Sequence, residues 1–412
     1  MSGIPQPDRA TSQPCPASHP RVLISALEPS ADLHGASLIR EVSRILPQVR
    51  FVGLGGPRMR EAGAHTLDDL TAHASMLLGT LRLVGRALRL LHRLDRLMSE
   101  QQFDLGLVID SPTLHLPLAG RMKRHGLPVL YYIAPQTWAW AEYRHRKVAR
   151  RVDRAAVILP FEEEYFRSRG IRADYVGHPL FDVLAAHTVD AELVSRLRRG
   201  GEPVVTLLPG SRRHVVQEVL PGQLEVCRQL ARRFKQARFL LSLAGEPVRP
   251  AVHTRVTGCG LQIEIQEGRN PELITAADLV LVASGTATLE VAYYRKPMIV
   301  MYNHSRWAYE LIGRWLIATP WLSLPNIIAG RQIVPEFMPY YRSADPIAAK
   351  AAEMLSAPQT LERVSRQLDE LMTPLIKTGA SANTARIVAE MLQRSVDPSP
   401  DRQTSPPPVT HR

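Results

Sequence analysis

At 412 residues and 45% hydrophobic composition, the chain exceeds the roughly 250–300 residues at which a single core stops growing, so two substantial cores are expected. The formal net charge of +12 calls for a polyanionic partner, which charge alone leaves as nucleic acid, an anionic membrane surface or phosphorylated substrates. Three cysteines, Cys15, Cys227 and Cys259, lie far apart, which excludes a metal-ligand pair and fits a reducing compartment.

Residues 1–20 hold five prolines and no apolar stretch, so they do not read as the core of a secretory signal. With 395–412, also rich in Pro and Ser, they are expected to be disordered tails. From residue 21, short apolar runs alternate with helical stretches: RVLISAL before 35–46, VRFVGLG before 57–63, LGLVID before 116–125, then PVLYYIA and AAVILP. Doubly buried parallel strands read as such continuous apolar runs. The rhythm restarts after an Arg-rich stretch near 186–202, with PVVTLLPG, RFLLSLAG, LQIEIQ, DLVLVASG and PMIVMY. The expected fold class is therefore α/β, with two Rossmann-like domains facing across a cleft. Their expected bounds are 21–185 and 200–360, followed by helices over 361–394 that pack back on the N-terminal domain.

One segment departs from this rhythm. Over 76–98, Arg82, Arg86, Arg89, Arg93 and Arg96 recur at helical spacing, with Leu81, Val84, Leu88, Leu91 and Leu94 on the other side. Such a helix either packs on its own sheet or lies on a membrane surface and meets acyl chains. Every Leu-rich run is broken by Arg, His or Asp well short of the roughly 18 apolar residues of a spanning helix, so membrane contact is expected to be peripheral.

Two segments carry the chemistry of a nucleotide diphosphate. After a predicted strand, Pro209-Gly210-Ser211-Arg212 opens a helix: Gly210 allows close backbone approach, amides at the helix start attract anions, and Arg212 clasps phosphate. A second strand runs into Ser284, Gly285, Thr286 and Ala287, the position past a strand's carboxyl end where open α/β sheets bind ligands. Glu290, inside the next helix, suits a ribose diol, or is simply solvated. Asn326, between apolar flanks, either caps a loop or bonds the nucleotide. In the N-terminal half, Glu28 follows the first strand, ahead of Ser30, Asp32 and His34, and Asp110 ends LGLVID; Asp32 reads as a helix cap.

The co-linear segments FVGLGGPRM (51–59), YYIAPQTWAW (131–140), ILPFEEEYF (158–166), VGHPLFD (176–182), LLPGSR (207–212), ASGTATLE (283–290) and SLPNIIAGR (323–331) resemble the lipid A disaccharide synthase family over roughly residues 21–392. The resemblance implies a glycosyltransferase of B-type fold with no metal or cofactor. It implies inverting transfer of 2,3-diacylglucosamine from its UDP carrier to 2,3-diacylglucosamine 1-phosphate. Asp110 is then the expected general base, with Glu28 the alternative, and Gly210–Arg212, Ser284–Ala287, Glu290 and Asn326 hold the UDP-sugar. Expected partners are that donor, an acylated glucosamine phosphate acceptor and an anionic membrane; a homodimer is left open. The expected location is the cytoplasm, peripheral on the inner face of the inner membrane. Leu27 and Ala31 replace family glycines, Thr113 and His115 stand for an Asp and an Asn, and Asn303 for a common Arg. These departures leave a paralogue with another acceptor as one alternative. A UDP-sugar epimerase is another. A nucleic-acid-binding protein is disfavoured, because aromatic and basic residues are not interleaved.

Overall fold

The computed structural model describes residues 19–68, 81–139, 144–303 and 320–396. Cys15, the terminal segments and residues 76–80 of the Arg/Leu segment lie outside the described residues. Two compact units make up the described chain: residues up to Leu130 with those from Ala385 onward, and Tyr131–Thr384.

The apolar runs form strands β1 (Arg21–Ala26), β2 (Arg50–Leu54), β3 (His65–Asp68), β4 (Leu105–Ile109), β5 (Val129–Tyr132), β6 (Arg154–Val157) and β7 (Ala173–Tyr175). They join in one sheet in the order β3-β2-β1-β4-β5-β6-β7. A second sheet holds β8 (Val204–Leu208), β9 (Arg238–Leu243), β10 (Ile263–Glu267), β11 (Leu279–Ala283), β12 (Met298–Met301) and β13 (Glu336–Phe337), in the order β10-β9-β8-β11-β12-β13 with every pairing parallel. The central strands β4, β8 and β11 are buried at every residue, as sheets covered on both faces require. Sequence reading missed β3, β7 and β13, which are short, lie at sheet borders and carry His65, Asp174 and Glu336 instead of an apolar run.

In each sheet the order reverses once, between β1 and β4 and between β8 and β11. At such a switch point the loops leaving the two strands diverge and open a crevice beyond their carboxyl ends. Glu28 and Asp110 follow β1 and β4, and the Gly210 and Gly285 turns follow β8 and β11. Each predicted site residue except Asn326 therefore lies just beyond a switch-point strand.

Local rules explain the connecting helices. Pro29–Ile45 begins with Pro29 in its first turn and buries Ala31, Ala36, Leu38, Ile39 and Val42; it stops before Pro47, since the residue preceding proline disfavours helix. Close packing between β1 and β2 needs Gly53, where φ is +154° and a Cβ would stand 1.9 Å from the Ile24 carbonyl oxygen. Asp32 corrects an expectation. It is buried, and rather than capping its own helix it accepts from the amides of Gly56, Arg58 and Met59 at 2.8, 3.1 and 3.1 Å. It thus caps the next helix, Pro57–Glu61, tying FVGLGGPRM back to the first strand-to-helix turn.

The Arg/Leu segment is helical over Leu81–Glu100. Arg89, Arg93 and Arg96 are exposed, whereas Leu91 and Leu94 are 4% and 1% exposed and pack into their own unit. These two leucines are therefore core and do not serve a lipid contact, while Leu88 is 55% exposed. Among the described residues, no helix is long and apolar enough to cross a membrane.

Candidate active site

The turns after β8 and β11 line one cavity of about 340 Å³, together with Glu290, Ser242 and Asn270. Gly210 has φ +108°, and a Cβ there would meet Val215 Cγ1 at 2.9 Å, so the turn demands glycine. The helix Arg213–Arg233 follows, with no side-chain cap hydrogen bond from Arg212, and the start of a helix is a place where backbone amides and the dipole favour an anion. Arg212 and Ser211, both exposed, stand at the same mouth. On the β11 side, Thr288 donates to the Gly285 carbonyl at 2.7 Å, which holds the Ser284–Ala287 turn against its helix Ala287–Tyr293. Gly210, Ser211, Arg212, Ser284, Gly285, Thr286, Ala287 and Glu290 are thus brought together.

Glu290 is in the first turn of that helix, and burial pushes its carboxyl above the usual carboxylate range, opposed by an Asn270 hydrogen bond. Asn270 Nδ2 donates to Glu290 Oε2 at 3.2 Å, while Asn270 Oδ1 accepts from Ser242 Oγ. The amide is oriented from one side and directs the carboxylate from the other. Sequence reasoning missed this pair. The available signals were a polar Ser242 inside the apolar run RFLLSLAG and an Asn-Pro helix start at Asn270-Pro271.

Asn326 does not line this cavity. It is fully buried, and its amide is saturated locally: Nδ2 donates to Val334 O at 2.8 Å and Glu336 Oε2 at 3.0 Å, and Oδ1 accepts from Ile333 and Val334 N–H at 2.7 and 3.0 Å. A side-chain amide has two donors and two acceptor lone pairs, so none is left for a ligand. Asn326 is the knot of the SLPNIIAGR loop and not a ligand contact.

Two other motifs also resolve into ties. Buried Glu162 accepts from Trp138 Nε1 at 2.8 Å and from the Ile158 and Leu159 amides at 3.1 and 2.9 Å, joining YYIAPQTWAW to ILPFEEEYF. In VGHPLFD, Asp182 accepts from Gly379 and Ala380 N–H at 2.5 and 3.0 Å, capping the helix Ala380–Val396.

Asp110 and Ser111 follow β4 with φ of +57° and +46°, two successive left-handed residues that are not glycine. Each costs on the order of 1–2 kcal/mol, so surrounding contacts must hold the turn. Pro112 then starts the helix Pro112–Arg124, and buried His115 on that helix meets the Asp110 carbonyl through Nδ1 at 2.6 Å and Ser25 Oγ through Nε2 at 2.9 Å. Glu28 is half-buried at the position preceding the helix Pro29–Ile45. Among the described residues, no group of His, Cys, Asp or Glu is placed to hold a metal ion.

Two parallel α/β sheets of this order define the class of B-type-fold glycosyltransferases and their epimerase relatives. UDP-bound MnaA of S. aureus superposes with a TM-score of 0.60 at 12% identity, covering 90% of this chain and 96% of that one. MurG of Acinetobacter baumannii gives 0.53 at 10% identity, covering 90% and 99%. The family model described as lipid-A-disaccharide synthetase matches residues 22–391. Lipid-A-disaccharide synthase of Geobacter sulfurreducens is 37% identical over 378 residues, covering 91% of this chain and 98% of the relative; that of Myxococcus xanthus is 33% identical over 375 residues, covering 90% and 98%. The chain belongs to the lipid-A-disaccharide synthase family, and it is a glycosyltransferase.

Proposed function

We propose that this enzyme transfers 2,3-diacylglucosamine from UDP-2,3-diacylglucosamine to 2,3-diacylglucosamine 1-phosphate, forming a β-1′,6-linked disaccharide and UDP. The observation that carries the reading is the donor cavity, which gathers both anion-binding turns and Glu290 at one switch point in a chain of this family. The acceptor's 6-hydroxyl oxygen bonds to the anomeric carbon as the bond from that carbon to the diphosphate oxygen breaks. Its proton goes to Asp110, and the leaving electron pair to the diphosphate. Amides of the two turns and the Arg212 guanidinium stabilise that departing charge. Incubation of purified protein with UDP-diacylglucosamine and diacylglucosamine 1-phosphate, followed by mass spectrometry, should yield the disaccharide phosphate. A product formed only with a different acceptor would reassign the substrate.

In this reading Glu290 accepts from both ribose hydroxyls. Replacing Glu290 with Ala removes hydrogen bonds to a charged group, and the loss of even one, worth about 1.5–3 kcal/mol, should lower UDP affinity by at least roughly 10–100-fold. The melting temperature should hold, because Glu290 sits on the cavity wall and its bond is to Asn270. Calorimetric titration with UDP reads the effect, and unchanged affinity would refute the ribose contact.

We further propose that the enzyme works at an anionic membrane surface on the cytoplasmic side. Exposed Arg89, Arg93 and Arg96 around exposed Leu88 support this, since basic faces meet phosphate headgroups through interactions that salt screens. Co-sedimentation with anionic vesicles should decline as salt rises and should weaken when these three arginines become Gln. Sedimentation indifferent to both changes would remove the membrane from the account.

A further inference from the structure

The assignment of Asp110 as the base leaves open what aims its carboxylate. The strand β4 ends at Ile109, and the chain then makes the two left-handed residues Asp110 and Ser111 before Pro112 starts the helix. Asp enters the left-handed region more readily than most residues, but two successive non-glycine residues there still cost more than ordinary extended or helical backbone. The turn is held by what its carbonyl groups meet. His115 N–H donates to the Ser111 carbonyl at 3.1 Å as an ordinary helical bond, and the His115 ring reaches back to the Asp110 carbonyl at 2.6 Å.

The partners fix the ring's protonation. A carbonyl oxygen only accepts, so Nδ1, 2.6 Å from Asp110 O, carries the hydrogen and donates it there, with the Ile109 carbonyl a second backbone acceptor facing the ring. The other nitrogen, Nε2, is then a lone pair and accepts from the Ser25 hydroxyl at 2.9 Å. Ser25 is buried in β1, and its neighbour Ala26 is in register with Ile109 of β4. The ring therefore spans the first switch point from one strand to the turn leaving the other. It is fully buried, and burial lowers its pKa to about 4, so it bridges as a neutral group.

We propose that His115 is a positioning residue for Asp110: by anchoring the Asp110 carbonyl to Ser25 through a neutral imidazole, it sets the direction in which the Asp110 carboxylate leaves β4. This rests on the reading of Asp110 as general base. An Asn side chain here could donate its amide to the same carbonyl but is too short to span to Ser25 as the ring does. Loss of the histidine therefore acts on turnover through Asp110 and not through substrate affinity.

Four variants and one spectrum test this on the full-length enzyme with the diacylated donor and acceptor. His115→Leu keeps bulk and loses the donor; a displaced catalytic group can cost roughly 10²-fold, so kcat should fall to that extent with KM for both substrates unchanged. His115→Asn should recover most of the loss, which a merely packing role would not produce, since Leu fills the space better than Asn. Ser25→Ala, which leaves the ring in place but frees Nε2, should lower kcat in the same direction and by less; it also decides the matter should His115→Leu not fold. In ¹⁵N spectra of the parent, His115 should show the Nδ1–H tautomer down to about pH 5. Parent-like kcat in His115→Leu or, failing that, in Ser25→Ala, alongside an inactive Asp110→Asn, would overturn the positioning role alone. An Nε2–H tautomer would do the same. Parent-like turnover in Asp110→Asn would instead overturn the base assignment on which the proposal rests.

Discussion

Asp110→Asn should lower turnover by about 10²–10⁴-fold, the usual worth of a general base. The amide has nearly the carboxylate's shape and keeps the backbone turn, but it cannot take the proton of the attacking hydroxyl. UDP affinity should be unchanged, because the donor cavity is lined from Leu180 and from the ends of β8, β9, β10 and β11 with the segments that follow them, and none of its residues comes from the Asp110 turn. Steady-state transfer assays beside calorimetry with UDP separate the two quantities. Glu28→Gln is the control, since Glu28 follows the other strand at the same switch point. Should Asp110→Asn stay within a few-fold of the parent while Glu28→Gln loses activity, the base is Glu28.

The second large effect is on stability in acid. The His115 pKa is lowered from 6.5 to about 4, with burial the cause. Because the folded value lies below the unfolded one, the fold disfavours the charged ring. The stability this represents is fully present above pH 6.5 and is lost as pH falls from 6.5 through 4. At 1.36 kcal/mol for each unit, about 2 kcal/mol should be gone by pH 5 and about 3 kcal/mol below pH 4. His34, also pushed down to about 4 by burial, acts in the same window and direction. Urea unfolding at pH 7.5 and pH 5 reads the loss. His115→Asn has no ring to protonate, so its stability should fall less between the two values; an identical fall in both proteins would show that His115 does not carry the effect.

Much of this was legible in the chain, for identifiable reasons. Doubly buried strands must be apolar throughout, so the strands on either side of both switch points stood out. Turns that follow such strands have few chemical options, so the Gly210 and Ser284 turns, taken together with Glu290 on the next helix, could be picked from the sequence as one candidate nucleotide site. Border strands have only one neighbour to satisfy and carry polar residues, so β3, β7 and β13 gave no run to detect. Partners distant in sequence were also hidden. Asp32 has the local signature of a cap for its own helix, yet its acceptors serve residues 56–59. Asn326 reads in sequence either as a loop cap or as a nucleotide contact, and only the fold shows Ile333, Val334 and Glu336 filling its amide. The Ser242–Asn270–Glu290 series joins three separate segments and has no signature in any one of them.

The reversal of strand order has a consequence for how the chain is made. Val22 of β1 pairs with Phe51 on one side and with Leu105 on the other, and Leu279 of β11 with Val205 of β8. On the ribosome, β1 meets β2 soon after both emerge, but its second edge stays open until β4 has been translated, and β8 waits likewise for β11. An apolar strand with an unpaired edge is a template for association with other nascent chains, and distant parallel pairings close slowly. The strands that later flank the two crevices are therefore the most exposed during synthesis, and slowed translation at reduced temperature is the condition under which soluble yield of this enzyme should rise.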